Sequence, residues 1–185
     1  MPTIGVSVAV PDPCGAWLQD YRVDLGDESA RHIPTHITLL PPYDIEGDQL
    51  ARFADHLAGA AATLEAFDVH LRGTGTFRPI SPVVFVGVVD GIARCEQLAR
   101  AVRSGPVNLT QSFPYHPHVT VAHHLDEALM DRAFTELADF ECFFAVERIW
   151  LYVHDEVLGW QPTQSFELTL SARRTEPHIC VSGSA

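Results

Sequence analysis

An internal repeat restricts the fold of this chain more than any other feature of its sequence. A short strand, a helix and two further strands are predicted twice in the same order, and the copies begin at His36-Ile37-Thr38-Leu39 and His118-Val119-Thr120-Val121. Outside these motifs the copies share a pattern of apolar residues rather than identical residues. Such a repeat predicts a duplicated lobe in which the two motif strands meet near a pseudo-twofold axis.

Each motif is typical of a strand with one polar face. Successive side chains of a strand point to opposite sides, so His36 and Thr38 share one face while Ile37 and Leu39 share the other. The apolar face would pack against a core. Each motif therefore leaves an imidazole and a hydroxyl about 6 to 7 Å apart on a rigid strand, both free for chemistry.

The other elements follow from apolar periodicity and from turn residues. Pro41-Pro42 is expected to close the first motif strand at about Leu40, because proline cannot donate to a strand ladder. Asp48 is the expected N-cap of the next helix. Residues 73–79 are expected to form a glycine-rich loop, and 172–185 a loose C-terminal tail. The remaining patterns predict strands at 3–10, 66–73, 82–89, 140–154 and 164–171, and helices at 15–21, 48–64, 92–104 and 126–138.

Charge and cysteine content narrow the classes of partner and compartment. A formal net charge of −12 disfavours binding along a nucleic-acid tract, which depends on many cationic side chains, and suits a small ligand or the end of a strand. The four cysteines are dispersed without a C-x-x-C pair, which predicts free thiols in a reducing cytoplasm. No basic residue precedes Arg22 and no apolar run approaches the roughly 20 residues of a membrane span. We expect a soluble cytoplasmic protein with no membrane partner.

With these two motifs the chain resembles the 2H phosphoesterase superfamily, most closely its 2′-5′ RNA ligase and cyclic phosphodiesterase branch. That family carries one His-x-Thr/Ser motif per lobe, each flanked by apolar residues, and Pro41-Pro42-Tyr43 and Pro117 are similar to further family features. The resemblance covers about residues 3 to 171. One position departs from it, since His123 stands where family members often have arginine.

The resemblance implies a fold and a site. The fold is of the α+β class: a single bilobal domain over residues 1–171 with interleaved lobes, two antiparallel sheets facing a central cleft and helices outside. The four motif residues would line that cleft. We expect a monomer that needs no cofactor and no metal.

The chemistry of the motif residues leads to a compatible prediction. Hydrolysis of a cyclic phosphodiester needs one group to take a proton from water and another to protonate the leaving oxygen, and imidazoles can do both near neutral pH. His36 and His118 are therefore the predicted catalytic acid/base pair, acting on a small nucleotide or an RNA end with a cyclic phosphate. Thr38 and Thr120 are the predicted phosphate-binding donors. Run in reverse, the same pair would join a 2′-5′ linkage.

Three aromatic residues near the motifs are candidates for stacking on a nucleobase. They are Tyr43, Phe77 and Tyr115, and local packing is the competing interpretation for each.

Other interpretations of the same residues stay open. A non-catalytic module that holds a nucleotide or RNA end fits the departure at His123. The segment from His116 to Thr120 is similar to the motif of histidine-triad nucleotide hydrolases, although Thr120 takes the place of the third histidine. A zinc or iron site could be built from the histidines at 116, 118, 123 and 124.

Overall fold

The computed structural model describes residues 1–109 and 113–170, and the chain alternates there between strands and helices. The elements are β1 (Thr3–Ala9), α1 (Cys14–Asp24), a 3-10 turn (Glu28–His32), β2 (His36–Asp44), α2 (Leu50–Ala62), β3 (Phe67–Thr76), β4 (Val83–Asp90), α3 (Ile92–Arg103), β5 (His118–His123), α4 (Glu127–Glu136), β6 (Glu141–Val146), β7 (Arg148–Asp155) and β8 (Gly159–Glu167). The α+β class is thus confirmed. The predicted tail at 172–185 lies outside the described residues.

All eight strands belong to one antiparallel sheet in the order β6-β3-β4-β5-β2-β1-β7-β8. The two motif strands are neighbours at its centre, paired at a single position where Ile37 lies opposite Val119. The expectation of two separate sheets is corrected by this pairing. β2 and β5 diverge on either side of it, so the sheet consists of two four-stranded halves with a narrow junction. The first half is β2-β1-β7-β8 and the second half is β5-β4-β3-β6.

Two of the four helices pack on the half of the sheet opposite to the strand that precedes them. α2 and α3 pack on each other and on the first half, whereas α1 and α4 pack on the second. The chain therefore leaves β1 of the first half to place α1 on the second, and leaves β4 of the second half to place α3 on the first. The apolar faces of both motifs lie under these helices, and Ile37, Leu39, Val119 and Val121 are fully buried. The packed core thus fixes the polar faces of the motif strands on the opposite side.

Several predicted boundaries were wrong, including the strand predicted at 164–171, which is β8 (Gly159–Glu167), and the stretch 140–154, which holds the two strands β6 and β7. β2 continues through Pro41-Pro42 to Asp44. Its pairing with β1 is irregular between Ile4 and Val6, opposite the prolines, so their missing N–H groups interrupt no regular ladder there. α2 begins at Leu50 with Gln49 as N-cap. β3 extends to Thr76, into the predicted glycine-rich loop.

The expectation of free thiols is wrong for one cysteine pair. Cys14 on α1 and Cys142 on β6 form a disulfide across a sequence separation of 128 residues. The crossing of α1 onto the second half brings them together, and no spacing in the sequence reveals that crossing. Cys95 is a buried free thiol, and Cys180 lies outside the described residues. Within the described ranges, no helix is long and apolar enough to cross a membrane.

Candidate active site

The junction of β2 and β5 brings the four motif side chains together. Ile37 lies opposite Val119 in the one pair between these antiparallel strands, so His36 and Thr38 flank that pair on β2, and His118 and Thr120 flank it on β5. His36 is close enough to His118 for its charge to lower the pKa of His118, and Thr38 and Thr120 line the same cavity. All four side chains lie on the face away from the buried Ile37 and Val119. Residues 82 positions apart in sequence thus form one compact polar cluster.

Backbone carbonyls fix the tautomer of both histidines in the same way. His36 Nδ1 lies 2.6 Å from the carbonyl oxygen of Pro34, and His118 Nδ1 lies 2.7 Å from that of His116. A carbonyl can only accept, so each Nδ1 carries the hydrogen and donates it. In the neutral ring the lone pair is then on Nε2. His36 Nε2 accepts a hydrogen bond from Thr38 Oγ1 at 3.1 Å. Its lone pair makes Nε2 the ring nitrogen that can take up a proton.

Burial keeps both imidazoles in the neutral form. It lowers the pKa of His118 to about 4, with smaller lowering contributions from His116 and His36. Burial also lowers the pKa of His36, and the nearby Arg22 charge adds to that effect. A bound phosphate anion would act in the opposite direction, because a neighbouring negative charge favours the imidazolium.

A cavity of about 270 Å³ opens beside His36. Its polar and charged lining residues include Arg22, His36, Thr38, Thr120 and His123. Its apolar and aromatic lining residues include Val6, Leu40, Pro42, Tyr152 and Trp160. A ligand with both an anionic group and a flat apolar ring matches this mixed lining.

His118 sits at the edge of this arrangement and does not line the cavity. Its ring packs against Phe77 and Phe85, with centroids 5.0 Å away in each case. The two motifs are therefore equivalent in backbone geometry and unequal in surroundings. Only the His36 side opens into the cavity.

The three aromatic stacking candidates occupy different places. The Tyr115 hydroxyl donates to the Thr38 carbonyl at 2.9 Å, and its ring lies 4.8 Å from the Arg103 guanidinium. The Tyr43 hydroxyl accepts the backbone N–H of Asn108 at 3.1 Å. Neither tyrosine lines the cavity. Phe77 lies edge-on to His118, and its role in stacking stays a prediction.

Sequence reasoning missed the aromatic wall of the cavity. Trp160 and Tyr152 lie on the last two strands, far in sequence from either motif. The indole covers Gly5 of β1, where a Cβ atom would lie only 3.3 Å from the ring. A glycine inside a β-branched strand such as β1 often marks a close approach of another group. Gly5 was therefore the available signal.

The histidines considered for a metal site include two pairs of neighbouring rings, and His116 and His118 have centroids 6.0 Å apart. His116 packs edge-on against Phe85, while the rings of His123 and His124 lie 4.1 Å apart. His123 lines the cavity, and burial lowers its pKa. Across the described residues, no group of three or more His, Cys, Asp or Glu side chains is arranged to hold a metal ion.

Known proteins share both the sequence pattern and the fold. A family model described as the 2′-5′ RNA ligase superfamily matches residues 10–158. A protein of Oceanobacillus iheyensis named "putative phosphoesterase" is 25% identical over 138 residues, covering 74% of this chain and 81% of that protein. A protein of Halalkalibacterium halodurans with the same name is 23% identical over 166 residues, covering 89% of this chain and 96% of that protein.

Solved structures agree with the fold. Escherichia coli LigT complexed with 3′-AMP has a TM-score of 0.66 and 22% identity, over 91% of this chain and 99% of LigT. TT0787 of Thermus thermophilus has a TM-score of 0.66 and 21% identity, over 90% of this chain and 97% of that protein. Because the family model spans most of the sequence, including both motifs, the chain belongs to the 2′-5′ RNA ligase superfamily, the 2H phosphoesterase family that its motifs predict.

Proposed function

We propose that this protein is a metal-independent phosphoesterase that hydrolyses a cyclic phosphodiester with His36 and His118 as its acid/base pair. One observation carries the proposal. Two imidazoles lie on adjacent central strands, and each donates Nδ1–H to a backbone carbonyl, which leaves the lone pair of the neutral ring on Nε2 for proton transfer. The family supports a phosphoesterase, and the paired histidines support this mechanism.

The reaction needs only groups of the motif cluster. One Nε2 accepts a proton from water as the water oxygen forms a bond to phosphorus. The other histidine, protonated before attack, donates its proton to the ribose oxygen as the phosphorus–oxygen bond breaks. The product is a phosphomonoester and a free hydroxyl. With a 5′-hydroxyl in place of water, the same pair would join a 2′-5′ linkage: one histidine takes the proton of that hydroxyl as its oxygen bonds to phosphorus, and the other protonates the 3′ oxygen as it leaves.

The threonines supply the donors for the phosphate. Charge builds up on the non-bridging oxygens in the transition state, and hydroxyls placed in advance stabilise it. Thr38 and Thr120 both line the cavity. In the free protein Thr38 is paired with His36 Nε2, so substrate binding would replace one hydrogen bond of this hydroxyl by another.

The cavity supports a nucleotide or an RNA end as the substrate class. Its lining combines the Arg22 guanidinium and threonine hydroxyls, which suit a phosphate, with the Trp160 indole, which offers a surface for a nucleobase. LigT, which shares this fold, has been crystallised with 3′-AMP, NADP+ and ATP. Phe77, beside His118, is a second candidate for stacking.

A non-catalytic nucleotide-binding module is the second candidate, and one observation favours it. Arg22 is the only cationic residue of permanent charge that lines the cavity among the described residues, and it is paired with Asp27. A site with little net positive charge would hold a phosphate without strongly stabilising the charge of a transition state.

Product analysis separates the two candidates. The protein would be incubated with nucleoside 2′,3′-cyclic phosphates, ADP-ribose 1″,2″-cyclic phosphate and 2′-5′ linked oligonucleotides, with and without chelator. We expect turnover of a cyclic phosphodiester that chelator does not change. His36→Ala and His118→Ala should each lower the rate by roughly 100-fold or more. His70→Ala, which removes a histidine paired with Glu141 two strands from β5, is the matched control.

Near-normal rates in folded His36→Ala or His118→Ala would refute the assignment. Binding without turnover of any of these compounds would favour the module.

A further inference from the structure

A buried ion pair lies next to the motif cluster and takes no part in the proposed proton transfers. Arg22 on α1 donates from Nε and Nη2 to Asp27 Oδ2, at 3.2 and 3.0 Å. Each residue is only 4% exposed, and no other charged residue in the described ranges is buried. A buried ion pair is a weak contributor to stability compared with apolar residues of similar volume. A contribution to stability therefore does not explain why this ion pair is buried beside the motif cluster.

The ion pair holds the segment that leads into β2. Arg22 Nη1 donates to the carbonyl of Ile33 at 2.9 Å. Asp27 Oδ1 accepts the backbone N–H of Ser29 at 3.0 Å, at the start of the 3-10 turn. Further along, the Thr35 hydroxyl donates to Gln19 Oε1 at 2.8 Å. Side chains of α1 thus fix this segment on both sides of Pro34.

Pro34 carries the carbonyl that orients His36. Its neighbours Ile33 and Thr35 are both tied to α1, so the Pro34 carbonyl has little freedom to turn away from His36 Nδ1. The second motif is supported differently. His118 also donates to a carbonyl two residues earlier, but in the described part of the chain no ion pair anchors the segment 114–117.

We propose that Arg22 and Asp27 are positioning residues for His36, which hold the Pro34 carbonyl so that His36 keeps its hydrogen on Nδ1 and its lone pair on Nε2. The effect on catalysis rests on the proposed function. The effect on the tautomer does not.

The test compares the ring nitrogens of both histidines by 15N NMR in the whole protein at neutral pH. The perturbing variant is Arg22→Met/Asp27→Asn, which removes both charges together and leaves no unpaired buried charge. Asn at position 27 keeps an oxygen for Ser29. The matched control is Arg148→Met/Glu167→Gln, which removes an exposed ion pair of 3.2 Å between β7 and β8.

We expect the hydrogen of His36 on Nδ1 in the wild type and in the control, and a mixture of tautomers in the perturbing variant. His118 should keep its Nδ1 hydrogen in all three proteins. The kcat for a cyclic phosphodiester should fall by roughly 10- to 100-fold, the range found when the outer partner of a metal-binding histidine is lost.

Arg22→Lys is the second variant, and it keeps the proposal testable if the double variant is unfolded at the temperature of the measurement. A lysine retains the charge but not the planar fork that reaches Asp27 and Ile33 together, so it should also mix the His36 tautomers. An unchanged Nδ1 hydrogen on His36 in either folded variant overturns the proposal, and so does an Nε2 hydrogen in the wild type. A tautomer change in a protein without any turnover would support the positioning role and refute the proposed function.

Discussion

The lowered pKa values of the two histidines predict an unusual pH profile for kcat/KM. This parameter reports the ionisation of the free enzyme, and the proposed mechanism needs one histidine protonated and the other neutral. The pKa of His118 is about 4 and that of His36 is also below its ordinary 6.5, so the pair has two apparent values, both below 6.5. The maximum of kcat/KM should therefore lie on the acid side of pH 6.5.

The size of the decline follows from the fraction of protonated enzyme. Above the higher apparent value this fraction falls about tenfold for each pH unit, so kcat/KM should drop roughly 100-fold between pH 6.5 and 8.5. The decline in kcat should begin at higher pH, because the bound phosphate anion raises the pKa of the imidazolium in the complex. The two profiles should thus separate, with kcat less sensitive to alkaline pH than kcat/KM.

The assay measures initial rates on a nucleoside 2′,3′-cyclic phosphate from about pH 5.5 to 8.5 at constant ionic strength. More acid conditions are avoided because buried neutral histidines bind protons more readily in the unfolded chain, which lowers stability as pH falls. His70→Ala should reproduce the wild-type profile, since its ring lies outside the motif cluster. A kcat/KM that stays level or rises from pH 6.5 to 8.5 would refute the assignment of a neutral buried pair as the catalytic groups.

Two further predictions concern parts of the molecule away from proton transfer. Reducing the Cys14–Cys142 disulfide opens a loop of 128 residues, and loop entropy predicts a loss of about 5 kcal/mol and a Tm lower by roughly 10 to 20 °C. Thermal unfolding with and without reductant measures this, and a Tm that does not respond would contradict it. Trp160→Ala should raise KM for a nucleotide substrate about tenfold with kcat nearly unchanged, because one stacked base is lost. Trp17→Ala, a half-exposed residue of α1 that stacks on Phe140 and does not line the cavity, is its control, and an equal effect of both variants on KM would show that the cavity wall is not specific.

The sequence predicted the motif strands because their side chains alternate with a period of two. That period places His36 and Thr38 on one face and the buried Ile37 and Leu39 on the other, as observed. Apolar residues spaced three and four positions apart predicted the helices, because this spacing is also a property of the local sequence. Pairing of β2 with β5 was anticipated from the repeat, which made both strands equivalent members of one centre.

The disulfide and the residues of the cavity could not be predicted, because they depend on which half of the sheet each helix and strand packs against. Periodicity places Cys14 on a helix and Cys142 on a strand, but nothing local shows that α1 crosses to the second half of the sheet. The same crossing delivers Arg22 to the cavity. Trp160 was missed because a half-exposed aromatic near the end of a strand gives no sign of which neighbour it will cover.

The unequal surroundings of the two histidines determine how a symmetric pair can serve one substrate. On the His36 side, Gly5 leaves room for the Trp160 indole to form a wall, and the space beyond stays open as the cavity. On the His118 side, the absence of a Cβ at Gly75 lets the Phe85 ring fill the space beside His118. A Cβ at Gly75 would lie only 2.4 Å from that ring. Under the proposed mechanism, a nucleoside in the cavity would extend from the His36 side. The two histidines would then meet different oxygens of the phosphodiester in any one turnover, although both donate Nδ1–H to a carbonyl two residues earlier.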